Sequence, residues 1–66
     1  MAGNTRGKLK EEFEGIHRDF DWCIIHCAKA LALIQGHKPE LSEAIEALAT
    51  GISTLDELNM SIYNKL

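Results

Sequence analysis

The sequence predicts an all-α fold: an antiparallel hairpin of two long heptad-patterned helices, assembling as a homodimeric four-helix bundle or a higher oligomer. Three observations carry that expectation. Apolar residues recur in alternating steps of four and three along two stretches, the two stretches are equal in length, and Gly36 and Pro39 separate them. A 3.5-residue apolar repeat is the mark of helices packed along a seam.

The first seven residues, Met1 to Gly7, are polar and glycine-rich and read as a flexible tail. The single helical-hairpin domain is expected over 8–66. Helix 1 (about 8–35) has its seam at Leu9, Phe13, Ile16, Phe20, Cys23, Cys27, Ala30 and Ile34. The turn at 36–39 follows, with Gly36 suited to the left-handed cap after a helix and Pro39 to the first turn of the next. Helix 2 (about 40–65) repeats the pattern at Leu41, Ile45, Leu48, Ile52, Leu55, Asn59, Ile62 and Leu66. Each seam covers 25 residue steps, from Leu9 to Ile34 and from Leu41 to Leu66, or about 37 Å at the helical rise. Equal lengths and a short connection imply side-by-side antiparallel helices. Capping-box spacing at Thr54 and Glu57 raises the alternative of a break at Gly51, but the heptad runs through Gly51 in register, so a continuous helix is expected. A glycine there fits a close approach by a bulky neighbour or another helix, in which case Gly51→Ala lowers stability despite alanine's better propensity.

Sixty-six residues lie near the lower limit for a self-sufficient core. Helix 1 also carries more apolar surface than one partner helix covers. Trp22, Ile24, Ile25, Ala28, Leu31, Ala32 and Leu33 all lie off its seam, and these are the expected oligomer interface. A dimer through a two-fold interface is the simplest closed solution. Asn59, the one polar residue on the second seam, is the candidate for fixing register.

Candidate chemistry is sparse. Cys23, His26 and Cys27 share one helical turn and form the leading metal candidate, although three ligands are one short of a structural zinc site. Glu14 and His17 have the Glu-x-x-His spacing of di-metal bundles, with Asp56 or Glu57 as further ligands from helix 2. The plainer expectations are buried apolar cysteines and an exposed Glu14–Arg18 pair. No metal or other cofactor is expected. His17, His26 and His37 offer pH sensitivity if one sits at an interface. No arrangement for nucleophilic catalysis stands out, so the chain is not expected to be an enzyme.

The formal net charge is −3, and the cations are scattered apart from Arg6, Lys8 and Lys10 near the start. The acidic residues Glu11, Glu12, Glu14, Asp19 and Asp21, with Glu40, Glu43 and Glu46, form solvated patches. The longest near-apolar run, Cys23 to Ile34, is broken by His26 and Lys29 and is too short to span a bilayer. With no signal-like apolar stretch in Met1 to Leu9, a cytoplasmic location without membrane attachment is expected.

In length, acidic charge, paired heptad helices and expected dimerisation, the architecture resembles the Rop family of plasmid RNA-binding hairpins. That resemblance implies a nucleic-acid-binding four-helix bundle. The expectation from the residues themselves is a small non-enzymatic module acting through protein–protein interaction as a regulator, adaptor or inhibitor. Its partners are a further copy of the chain and another protein. A small-ligand or metal site at the subunit interface is the third reading.

Overall fold

The computed structural model of the chain describes residues 3–66. It contains two helices, α1 (Gly3–Leu33) and α2 (Pro39–Asn64), packed against each other. Contacts between them pair His17 with Asp56, Phe13 with Asn59 and Glu14 with Tyr63. From Glu14 to His17 on α1 the partner on α2 falls from Tyr63 to Asp56, so the pair is antiparallel. The hairpin measures 54 × 15 × 10 Å.

The turn is made as the residues dictate. Gly36 adopts φ 78°, a left-handed conformation that costs glycine nothing because it lacks a Cβ. The His37 N–H donates to the Ile34 carbonyl at 2.9 Å, and the Ser42 N–H donates to the Lys38 carbonyl at 2.9 Å to open α2. Pro39 occupies the first helical turn, where its missing N–H costs no bond. Leaving α2, the Lys65 and Leu66 N–H groups donate to the Ile62 and Tyr63 carbonyls.

Two boundaries differ from expectation. α1 ends at Leu33 rather than near residue 35, and it begins at Gly3, so the expected tail is helical from there on; Met1 and Ala2 lie outside the described residues. Gly7 interrupts nothing, and no proline blocks the i→i−4 ladder. In the antiparallel register, α1 before about residue 7 runs past the end of α2 and has no helix beside it. α2 is continuous through Gly51, as the unbroken heptad predicts.

The larger difference is rotational. The expected seams contain two rows on each helix, and one row of each is turned inward along its length. Of the other, Leu9 and Ala30 on α1 are half-buried, whereas Ile16, Cys23 and the whole α2 row are exposed. Phe13, Phe20, Cys27 and Ile34 on α1, and Ile45, Ile52, Asn59 and Leu66 on α2, are buried or half-buried. The second inward row lies on the other flank: Lys10, His17, Ile24 and Leu31 on α1, facing Ser42, Ala49, Asp56 and Tyr63 on α2. Leu41, Leu48, Leu55 and Ile62 are left on the surface, with Leu48 57% exposed and Leu55 54%.

Little interior results. Among the described residues only Cys27 and Asn59 are buried. The chain exposes 5129 Å², whereas a compact monomer of 7.4 kDa exposes about 4,200 Å². The excess of about 900 Å² is close to one side of a standard protein–protein interface, about 800 Å².

Candidate functional site

The two flanks of the hairpin differ in chemistry, and an antiparallel pair keeps them apart. On each helix the exposed apolar row lies three residues after the shared inward row, as Ile16 follows Phe13 and Leu48 follows Ile45. The other inward row lies four residues after, as His17 follows Phe13 and Ala49 follows Ile45. A pseudo-two-fold relates antiparallel helices, so equivalent rows emerge on the same face. One face therefore carries Ile16 and Cys23 beside the α2 leucine row. The opposite face carries the polar contacts.

On the polar face, His17 Nδ1 lies 2.7 Å from Asp56 Oδ2, and its Nε2 lies 3.6 Å from Asp21 Oδ2. The imidazole thus joins the two helices through Asp56, which is mostly covered, and meets Asp21 one turn along α1. One turn toward the α1 N-terminus, the Tyr63 hydroxyl donates to Glu14 Oε1 at 2.8 Å, and Lys10 Nζ stands 5.6 Å from the centre of the Tyr63 ring. The hydrogen bond to the Glu14 carboxylate, followed by that carboxylate's charge and by desolvation, holds the Tyr63 phenol above its usual pKa of 10.0. Glu14, expected to pair with Arg18, pairs across the hairpin instead.

Asn59 joins the two flanks from within. It is 5% exposed. Its Nδ2 donates to the Phe13 carbonyl at 3.0 Å and lies 3.4 Å from Asp56 Oδ1. Both neighbours are acceptors, which fixes the amide orientation. The contact ties the α2 side chain to the α1 backbone at the level of Phe13. Its Oδ1 is buried and unpaired among the described residues.

The candidate ligands Cys23, His26 and Cys27, at which no metal was expected, are not brought together. Cys27 is turned inward, whereas Cys23 is exposed, as is His26. The His/carboxylate group that the hairpin does gather is His17, Asp21 and Asp56, whose ligating atoms lie within 4.8 Å of one another. It brings His17 to Asp56, as drawn from the sequence, but without Glu14 or Glu57. Its shortest separation is a histidine–carboxylate hydrogen bond that needs no ion. An open cleft beside the turn is lined by Leu31, Ala32, Gln35, Gly36, Ser42 and Glu46.

Of the residues expected at an oligomer interface, Ile24 and Leu31 are half-buried on rows facing α2. Trp22, Ile25, Ala28, Ala32 and Leu33 are exposed, Trp22 at 58% and Leu33 at 83%. The outward turn of the α2 leucine row and the meeting of Lys10 with Tyr63 were not anticipated, whereas the sequence draws His17 and Asp56 together only as metal ligands. A signal for these two contacts exists: Lys10 and His17 are seven apart, as are Asp56 and Tyr63, and the two pairs meet in reversed order.

Gly51 lies beside the leucine row, three residues after Leu48 and four before Leu55. A Cβ built there meets nothing within 4 Å, so no neighbour within the hairpin requires the glycine. Mid-helix glycine costs about 1 kcal/mol relative to alanine, a cost that nothing in a single copy offsets.

No helix among the described residues is long and apolar enough to cross a membrane. Compared with protein-family models, curated proteins and solved structures, the chain matches none.

Proposed function

We propose that the chain is a binding module rather than a catalyst, a helical hairpin that self-associates to complete its core and then acts through protein–protein contact. The observation that supports this most is the α2 leucine row. Leu41, Leu48, Leu55 and Ile62 repeat every seven residues, yet they face outward. A heptad row gains its stabilisation only when a second helical surface covers it. The surplus exposed area is of the size that one such contact removes.

Self-association through that face leaves a second apolar surface on the side of α1 turned away from α2, where Trp22 and Ile25 stand exposed. Trp is enriched among residues that dominate binding energy, and these two are the proposed contact for a different protein. The function is then a regulatory or adaptor contact carried by a small acidic assembly.

Sedimentation velocity at micromolar concentration tests the first half of the reading. The expected result is a species of twice the chain mass or more; a 7.4 kDa species at every concentration sinks it. Gel-shift titration against RNA and DNA at low salt tests the competing nucleic-acid reading, since phosphate-driven binding is strongest there and falls steeply with salt. Tight binding under those conditions displaces the protein-contact reading.

A further inference from the structure

The geometry points to one arrangement of the second copy: the two apolar faces stack with α1 on α1 and α2 on α2, each pair antiparallel, about a two-fold axis level with Gly51 and Cys23. This inference rests on the self-association proposed above and specifies its interface.

Two hairpins stacked face to face have two simple two-fold arrangements. With the axis along the helices, α1 of one copy lies on α2 of the other. With the axis in the interface plane and across the helices, each helix lies antiparallel on its own counterpart. Only in the second does a residue at the level of the axis meet itself. That level must therefore hold residues tolerant of a close self-contact.

Full overlap of α2 (Pro39–Asn64) with its counterpart places the axis level at the helix midpoint, between residues 51 and 52. Gly51 stands there, on the exposed face, with no neighbour in its own hairpin. The rows around it pair well in that register. Leu48 meets Leu55 of the second copy, and the large, exposed Leu58 meets the small Ala44. Close-packed interfaces favour such large-against-small pairing.

Residue pairing on α1 is compatible with the same level. On this flank the exposed Ile16 and the half-buried Ala30 are symmetric about residue 23, again large against small, and Cys23 is exposed between them. On the adjoining row Asp19 and His26 are symmetric about residues 22 and 23, so each meets the other across the axis, and the two pairings are polar and complementary. Both helices must share one axis, and they do. Paired residue numbers within the hairpin total 72 for Phe13 and Asn59, 73 for His17 and Asp56, and 77 for Glu14 and Tyr63. That register sets Gly51 level with residues 21 to 26, which include Cys23.

Two measurements on the full chain test the arrangement, after sedimentation has fixed the concentration range of the dimer. First, a short bismaleimide should join Cys23 to Cys23 across the axis, giving a linked dimer that Cys23→Ser abolishes and Cys27→Ser preserves. Second, Gly51→Leu should raise the dimer dissociation constant at least 100-fold while the helical circular-dichroism signal at high concentration is retained. Gly51→Ala should raise it by a smaller factor, although it favours the helix. A dimer that does not cross-link at Cys23 and keeps its dissociation constant in Gly51→Leu overturns this arrangement and leaves self-association standing. A wild-type chain that never dimerises overturns both.

Discussion

The two flanks of the hairpin are built from rows with the same seven-residue spacing, yet they are finished in different ways. On the polar flank Lys10, His17, Asp56 and Tyr63 find partners across the hairpin, at 2.7 Å between His17 and Asp56. On the apolar flank Ile16, Leu48 and Leu55 find none, and Leu55 is 54% exposed. Polar groups are satisfied one to one at close range, so a single antiparallel partner suffices. Apolar groups need a surface, and two helices of this size do not supply it. The polar flank therefore sets how α1 meets α2, and the apolar flank is the surface through which we propose that a second copy meets the hairpin.

Removing a leucine from the apolar flank should break this contrast most sharply. Covering the exposed part of Leu48, 57% of the residue, stabilises by about 1 kcal/mol. Leu48→Ala removes this from both copies, which corresponds to about a 30-fold rise in the dimer dissociation constant. Equilibrium sedimentation reads this directly, and an unchanged constant places Leu48 outside the contact.

Asn59→Ala should be next, lowering unfolding free energy by about 1–2 kcal/mol through the lost bond to the Phe13 carbonyl and the lost packing. Asn59→Leu should recover stability, because it also removes the unpaired Oδ1, while weakening the preference for one register. Urea unfolding of both variants, with amide exchange to follow register, separates the two effects. Equal losses in both exclude this account of Asn59.

A double-mutant cycle on His17→Ala and Asp56→Ala should give a coupling below about 1 kcal/mol that shrinks with added salt. His17 is partly exposed, and solvent screens the pair. A coupling of several kcal/mol makes the polar flank a major source of stability and reverses the comparison.

The smallest effect is a titration. The chain has a single tyrosine, and its absorbance should report a midpoint above 10.0 that moves back toward that value in Glu14→Gln. Because the folded-state value is raised, the Tyr63–Glu14 contact contributes its full stabilisation below the unfolded phenol value. It loses that contribution as pH rises through the folded one. A midpoint unaffected by Glu14→Gln breaks the assignment.

Much of the architecture was legible in the residues. Gly36 and Pro39 mark the turn because each has one conformational use that a helix interior forbids. Gly51 does not break α2, because the apolar period continues in phase on both sides of it. The rotation about the helix axes was not legible. A heptad pattern identifies the apolar stripe of a helix, but it does not say which edge of the stripe the partner in the same chain covers. Leu41, Leu48, Leu55 and Ile62 outrank Ser42, Ala49, Asp56 and Tyr63 in apolarity, so hydrophobicity alone assigns the wrong row to the hairpin. The polar row becomes visible only when both helices are written in opposite directions, so that Lys10 falls beside Tyr63 and His17 beside Asp56. The early start of α1 was hidden by its composition: glycine, asparagine and threonine suggest a tail, yet nothing there stops the helical ladder.

The central claim, that one hairpin is half of a folded unit, is tested most directly by thermal unfolding followed over a 100-fold range of chain concentration. A fold completed by a second copy gains stability by mass action, so its melting temperature must rise as concentration rises. A single cooperative transition at the same temperature throughout that range contradicts the claim and makes the exposed leucine row a feature of a stable monomer.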